Sequence, residues 1–511
     1  MPLPQNDIAW PPTDPCVQAA LADWDAWYSA DPDRLGERYL GRTSREAPDF
    51  RPSQFRGGMV GRVARWFWGI PSGPGQKRTK LHVPIAGDIA RTSSSLLFSE
   101  PPVLLSTEKG TQARLDDLVE SGLHPTLLEA GEVCAALGGA YLRVVWDQEI
   151  SNRPWIDSVA ADAAVPEFRY GRLIAVTFWT VVEQDNREVW RHLERHEKGR
   201  ILHGLYRGTV GTLGTRLPLA DHPDTEPFAN LVTEDWIETG APAHLTAAYV
   251  PNVRPAKAWR HIPSAAHWGQ SDFQGVEPIF DALDETWTSW MRDIRIGKGR
   301  IVVPNSMLRD HGPGQGASWN EDQEVYAGLE MLERPGENQL TVTQFAIRVQ
   351  EHKETCSALI EQAARQAGYS AATFGITGDG SAVTATEIRA RERRSMSTRA
   401  RKTLYWRPAL ADIVAALLAV EAGPLFGVSA LDLEPPHVEF EDSISESPKE
   451  VAETVELLRR AQAASAETLV RMQHPDWDDP QVSREVDAIL NESKRTLIDS
   501  TTEAEAPVRA T

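Results

Sequence analysis

QGVEPIFDALDETWTSWMRDIRIGKGRIVVP, Gln274 to Pro304, is the stretch from which the architecture is read. From Val276 its apolar residues Ile279, Phe280, Leu283, Trp287, Trp290, Met291 and Ile294 recur mostly at steps of three and four, which places one stripe on one helix face. The stripe predicts a long amphipathic helix ending before Gly297, then a strand at Ile301 to Val303. Beyond it, HGPGQGASWN and short mixed pieces broken by Pro335 and Gly336 read as a small β-rich insertion. A second long helix carries Phe345, Val349, Cys356, Leu359, Ile360, Ala363 and Ala367 on one side, with Gly368 placed to stop it. Two helices thus bracket a compact excursion.

Downstream, TFGITGDGSAVTA (Thr373 to Ala385) has three glycines and almost no bulky residues, the composition of a loop. A third long helix starts near Thr384 and carries eight basic and two acidic residues up to Arg407, among them Arg389, Arg391, Arg393, Arg394, Arg399, Arg401 and Lys402. Pro408 predicts a kink or break before the apolar Leu410 to Val420 stretch. Two readings of the basic run stand side by side. One is a face that is solvated or paired with acidic neighbours, of which nine lie between Asp432 and Glu456 against one lysine. The other is light contact with DNA phosphates. The chain closes with a helical stretch containing Val451, Val455, Leu458 and Ala461, a final helix around Val486 to Leu490, and a polar tail.

Upstream, a helical pattern around Leu21, Trp24, Trp27 and Tyr28 and an aromatic cluster, Trp66, Phe67 and Trp68, suggest a segment that docks on a larger body. From Leu81 to about Asp272, helix-like and strand-like pieces alternate, including Tyr141 to Trp146 and Leu173 to Val182, as in an α+β domain. Glu188 to His196 and Arg200 to Tyr206 flank Glu197, Lys198 and Gly199 and read as a β-hairpin with glycine free to take a positive φ.

At 511 residues the chain has room for several compact units, and 41% hydrophobic with 25% charged residues argues against global disorder. The net charge of -20 has the wrong sign for a protein that grips nucleic acid by neutralising phosphates, though not for one that DNA slides past. The longest apolar run, Ile413 to Val420, is too short to span a membrane and reads as a buried helix face. The start, MPLPQNDIAW, has neither the basic residues nor the apolar run of a signal peptide, so a cytoplasmic product is expected. Cys16, Cys134 and Cys356 are few and widely spaced, which fits reduced, buried thiols better than a disulfide framework.

No motif supports catalysis. GIPSGPGQKRTK (Gly69 to Lys80) lacks the spacing of a phosphate loop, because Gln76 separates Gly75 from Lys77; a basic surface loop is the plainer reading. HGPGQG (His311 to Gly316) precedes no helix and fails as a dinucleotide fingerprint. His192 and His196 would share a metal only on a helix; on a strand they stand roughly 13 Å apart. Solvated hairpin residues, with His203 on the partner strand, are the expectation there. No catalytic, cofactor or metal residues are expected.

As a whole the chain resembles the portal proteins of long-tailed double-stranded DNA bacteriophages, particularly actinobacterial ones. GGMVGRVARWFWG, KLHVPIAGDIARTSSSLLFSEPP (Lys80 to Pro102) and LGGAYLRVVWD (Leu137 to Asp147) are similar to that family, and so are the opening stretch and its continuations, QFAIRVQEHKETCSALIEQAARQAGYSAATFG and TATEIRARERRSMSTRARKTLYWRPALADI. The resemblance implies an α+β portal fold: a peripheral segment over 1–80, an α/β wing over 81–272, and a first stem helix over 273–297. A clip over 298–342, a second stem helix over 343–368 and a tunnel loop over 369–383 follow. The long kinked wing helix takes 384–448, and a helical crown with the tail takes 449–511. It further implies a homo-oligomeric ring at one capsid vertex, of twelve subunits in the virion, assembled in the host cytoplasm. Implied partners are the terminase large subunit, the head-to-tail connector or adaptor, the major capsid and scaffolding proteins, and the DNA passing through; no membrane is implied. Thr373, Phe374, Gly375, Gly378, Asp379, Gly380 and Ser381 would then border the channel. Trp287, Trp290 and Ile294 would pack the stem against the second helix or a neighbouring subunit. A DNA-processing enzyme, such as a nuclease or motor component, and a portal-like scaffold without a packaging role are the competing readings.

Overall fold

The first helix begins where the sequence signals it. Asp14 accepts a hydrogen bond from the Cys16 amide and Pro15 occupies the first turn, so α1 spans Pro15–Ser29. In this computed structural model the described residues are 3–36 (save 6 and 32), 81–296 (save 186 and 233–235), the short pieces 300–302, 309–310, 317–318 and 341–343, then 347–375, 385–440 (save 429–430) and 448–490 (save 462, 475–476 and 478–480). They divide into two units, Met1–Phe440 and Glu441–Thr511. Trp66 to Trp68, the Gly69 to Lys80 run and HGPGQG lie outside the described residues.

In the first unit, helices α2 (Ile85–Phe98), α3 (Lys109–Leu118) and α4 (His124–Leu137) lead into strand β2 (Gly139–Val145). Gly138 makes that turn with φ 82°, and a Cβ there would lie 2.9 Å from the Ser271 amide nitrogen, so only glycine fits. β2 pairs antiparallel with β3 (Trp155–Ala160) and β10 (Ala247–Pro251). A six-stranded sheet holds β4 (Ala164–Arg169), β5 (Arg172–Gln184), β6 (Val189–Glu197), β7 (Arg200–Thr209) and β8 (Thr212–Leu217) in that order, with β9 (Trp236–Glu238) also on β7. β2 and β5 coincide with the two strands read from the sequence. The expected hairpin is β6–β7, and Gly199 takes φ 79° in its turn. The N-terminal arm belongs to this sheet: Leu3 and Trp10 bury against Leu193, Leu202, Tyr206 and Leu213, and Ala9 bridges to Thr212.

The hairpin histidines correct the expectation of solvation. β6 is flanked by β5 and β7, and one of its faces is covered by β2 and by the short helix α5 (Glu226–Ala229). His196 is 0% and His203 3% exposed. His192 Nε2 and His203 Nδ1 stand 3.1 Å apart, and both rings stack on Phe228. Glu194 contacts His196 Nε2 and accepts from Arg143, each at 2.7 Å. Among the described residues no group of three or more His, Cys, Asp or Glu is placed to hold a metal.

The apolar stripe of the opening stretch folds as α6 (Glu277–Ile296), which packs on α7 (Val349–Ala367). Between them β11 (Arg300–Val302) pairs with β14 (Thr341–Thr343), and β12 (Arg309–Asp310) with β13 (Ala317–Ser318), the described part of the β-rich excursion. Trp27 of α1, Phe273, Phe280 and Leu283 share one core with Ala363 and Tyr369. A second core joins Leu127, Leu142 and Val144 to Trp406, Leu410, Ile413, Val414 and Leu417 of α8 (Ala385–Ala422). β1 (Val103–Leu105) and β15 (His437–Glu439) close that core as an antiparallel pair.

Of the kink or break expected at Pro408, the break is absent, and α8 runs through it as one helix. A mid-helix proline costs about 3 kcal/mol. Burial of each large apolar side chain that follows returns about 1.5–3 kcal/mol, and Leu410, Ile413, Val414, Leu417 and Leu418 are all fully buried. The Glu392–Ala422 part of α8 is long and apolar enough to cross a membrane by length and composition, yet 67% of its apolar window is buried within the fold, as in a core helix. Cys134 and Cys356 are buried free thiols, whereas Cys16 is exposed, contrary to expectation, because it lies on the outer side of the first turn of α1.

In the second unit, α9 (Pro448–Arg460) packs on α10 (Ala466–Gln473), which Ser465 caps by accepting from the Thr468 amide. A further helix covers 481–490.

Candidate functional site

Where the three long helices of the first unit converge, Lys402 of α8 lies 1% exposed. Its ammonium donates to Asp272 Oδ2 at 2.6 Å, Ser93 Oγ at 2.6 Å and the Tyr369 hydroxyl at 2.9 Å. Tyr369 donates to Asp272 Oδ2 at 2.7 Å, Asn252 Nδ2 donates to Oδ1 at 2.8 Å, and the Asp272 amide donates to the Ala135 carbonyl. One buried ion pair therefore ties together α2, the end of α4, the turn before α6, the turn after α7, and α8. A buried pair is tolerated when geometry is close and the remaining donors and acceptors are satisfied, as they are here. Burial first, and then the negative charge of Asp272, hold the Tyr369 hydroxyl well above its ordinary pKa, so it remains a donor. Burial pushes the nearby Cys134 thiol up to about 12.

The glycine-rich segment leaves this node under restraint. Gly368 ends α7 with φ 97°, as its place in the sequence predicts, and its carbonyl accepts from Thr398 Oγ1 at 2.6 Å. The Ser370 amide donates to Ser395 Oγ at 2.9 Å, and Thr373 Oγ1 lies 2.8 Å from the same hydroxyl. Phe374 meets Tyr369 edge-on at 6.3 Å. Residues Ala371–Phe374 form a 3-10 turn closed by Gly375 with φ 73°. Thr373 and Phe374 are thus fastened to α7 and α8. Gly378, Asp379, Gly380 and Ser381 lie outside the described residues.

At the far end of the α6–α7 pair, Trp287 and Trp290 meet edge-on at 5.3 Å, and Trp290 stacks on His352 with 6.1 Å between ring centroids. Asp293 accepts from Arg348 and His352, each at 3.0 Å, and those hydrogen bonds hold its carboxyl below the usual range. Both tryptophans and Met291 are half-buried, whereas Ile294 is 42% exposed, so one chain alone covers the stripe only as far as Met291.

The basic residues of α8 do not form one face, which corrects the reading of a common basic surface. Arg393 and Arg394 are exposed, and the side chains of Arg389 and Arg391 lie outside the described residues. Arg399 is 8% exposed and donates to the Leu96 carbonyl at 2.6 Å, while Arg401 donates to the Arg254 carbonyl. Lys402 pairs with Asp272 and not with the acidic segment that follows. A second buried pair, Arg114 with Glu421 at 2.7 Å, fixes the end of α8 to α3.

Sequence reasoning missed Asp272, Tyr369 and Ser93 altogether. A signal for Lys402 was present: Ser395, Arg399, Lys402, Trp406, Ala409 and Ile413 follow steps of three and four, so the two cations sit on the backward extension of the apolar stripe.

Residues 261–497 match the family described as "Phage portal protein, SPP1 Gp6-like". The matched part contains the Asp272, Tyr369 and Lys402 node and helices α6 to α10. No curated protein matches the chain. Among solved structures the chain is similar to one described as "Neck of native GTA particle computed with C12 symmetry", at 15% identity over 80% of this chain and 92% of that one, with a TM-score of 0.40. It is also similar to one described as "Neck of empty GTA particle computed with C6 symmetry", at 15% identity over 76% and 90% of the two chains, with a TM-score of 0.39.

Proposed function

We propose, from the premise that this chain is a phage portal protein and so a structural part of the virion rather than an enzyme, that it assembles as a homo-oligomeric ring at one capsid vertex through which DNA enters and leaves. The family match over 261–497 carries this reading and sets aside the DNA-processing enzyme. The chain is read as a portal of the long-tailed, actinobacterial type. In this reading α6 and α7 are the stem, the excursion between them the clip, 81–272 the wing, α8 the long wing helix, and the helices after 448 the crown. The clip faces the terminase large subunit during packaging and the head-to-tail connector afterwards, and the capsid and scaffolding proteins hold the ring at its vertex.

A net charge of -20 per copy supports passage rather than capture of the DNA backbone. Because Thr373 and Phe374 are fastened at the node, the part of the loop assigned to the channel narrows to the residues after Gly375. Negative-stain images of the purified chain are expected to show annular particles with a central hole; a chain that stays monomeric, alone and with its capsid proteins, overturns the ring. Deleting 378–381 is expected to leave rings and empty procapsids intact while lowering the DNA packaged or retained. Full-length packaging at the normal rate would remove the loop from the channel.

A further inference from the structure

β4 and β5 are joined by two residues, Tyr170 and Gly171, with φ 50° and 79°. Positive φ at both positions is the tight hairpin turn in which asparagine or aspartate before glycine is favoured, because a bulky side chain resists the left-handed region. This chain places there a tyrosine whose ring is 99% exposed. The flanking pair breaks a second local rule. Arg169 and Arg172 are directly opposite each other across the ladder, and like charges so placed repel. Both are exposed, and among the described residues neither has a carboxylate within salt-bridge distance, Asp412 acting on Arg172 only from farther away. Lys198 borders the clefts on both sides of the tip, lining one with Arg172 and the other with Arg169.

Inside the chain the tip gains only the longer-range attraction between Arg172 and Asp412. The turn would be more stable with asparagine and the ladder with one charge reversed, and residues that violate local preference without internal compensation mark a surface shaped for something else. From this we infer that the Arg169–Arg172 tip is a contact surface for an acidic stretch of a neighbouring copy of the same chain. Two exposed arginines paired across the ladder beside an exposed tyrosine suit carboxylates at a solvated contact. A phosphate backbone is the poorer fit, since holding DNA takes many more cations than this tip supplies. A chain of net charge -20 supplies such a stretch in its sequence, with nine acids against one lysine over 432–456. The inference rests on the ring reading.

The test uses the full chain with a benzophenone amino acid at position 170, assembled with an equal amount of isotopically heavy chain. Crosslinked peptides that pair light with heavy chain at acidic sequence are expected. Arg169→Glu with Arg172→Glu is expected to raise the protein concentration needed for assembly by about tenfold, and added salt to weaken wild-type assembly in the same direction. Tyr170→Asn separates folding from contact, because it relieves the turn: the melting temperature of the single chain holds or rises while assembly weakens. Rings of normal yield in all variants, or crosslinks confined to one chain, to DNA or to another virion protein, overturn the contact and leave the ring standing. A wild-type chain that forms no ring overturns the ring reading itself, and this contact with it.

Discussion

Replacing Lys402 with methionine keeps the length of the side chain and removes the one cation that Asp272 faces in the interior. Asp272 would retain the Tyr369 hydroxyl and Asn252 as donors, but its charge, on a side chain 4% exposed, would lose its counterion. Breaking a buried pair from one side costs about 3–5 kcal/mol. The first unit spans 440 residues, and an unfolding entropy of about 2.1 cal/mol/K per residue gives it about 0.9 kcal/mol/K. The expected fall in melting temperature is therefore about 3–5 °C by calorimetry at neutral pH. Adding Asp272→Asn removes the stranded charge, so the double variant is expected to melt above the sum of the two single losses. Hydrogen exchange supplies a local readout: amides of 369–375 should exchange faster in Lys402→Met, because that segment hangs from the node. A single-variant loss below about 1 °C, or strictly additive losses, would mean that the pair does not hold the helices together.

Two further outcomes follow from residues 81–272. Burial depresses the pKa of His203 from 6.5 to about 4 and lowers that of His192 in the same direction. The unfolded chain then takes up these protons first as pH falls, so the stability present above pH 6.5 is lost on the way down to about pH 4, about 3 kcal/mol of it from His203. For Glu194, burial raises the pKa, but the charge of Arg143 and the hydrogen bond from His196 outweigh it and hold the carboxyl well below its usual range, which adds loss in the same direction at lower pH. Melting temperatures across this range should fall with acid, and less steeply in His203→Phe; a flat profile would contradict the assignment. Gly138→Ala should destabilise by about 1–3 kcal/mol, since the new Cβ meets the backbone of residues 269–271 at a positive φ. Denaturant midpoints of the two proteins measure it, and equal midpoints would contradict it.

What the sequence yielded depended on whether the signal was local. The α6 stripe and the Gly368 stop are properties of a few neighbouring residues, and the structure has both. The choice between kink and break at Pro408 was not local, because the proline's cost is set against packing with Leu127, Leu142 and Val144, residues far away in the chain. The hairpin was legible from Gly199, but the burial of His192, His196 and His203 was not, since it follows from which strands and helices lie beside and above β6. Asp272 and Tyr369 fall just outside the periodic stretches, where no pattern distinguishes a partner for a buried lysine from an ordinary turn residue. Of the residues expected to border a channel, only Thr373, Phe374 and Gly375 are described, and Thr373 is held by Ser395 of α8 and Phe374 by Tyr369.

The pairing of Val103–Leu105 with His437–Glu439 also sets a clock on the ribosome. Leu104 and Phe98 share their core with Trp406 and Val438, so the early helices have no complete partner until the chain has grown past residue 439. At roughly 5–20 residues per second, synthesis from residue 105 to residue 439 takes about 17–67 s, during which apolar surface made early waits for its cover. Such late closure exposes nascent chains to aggregation and to chaperone capture. Slower elongation over residues 385–440 would lengthen that wait, so soluble yield on expression should respond more to codon choice there than to codon choice after it.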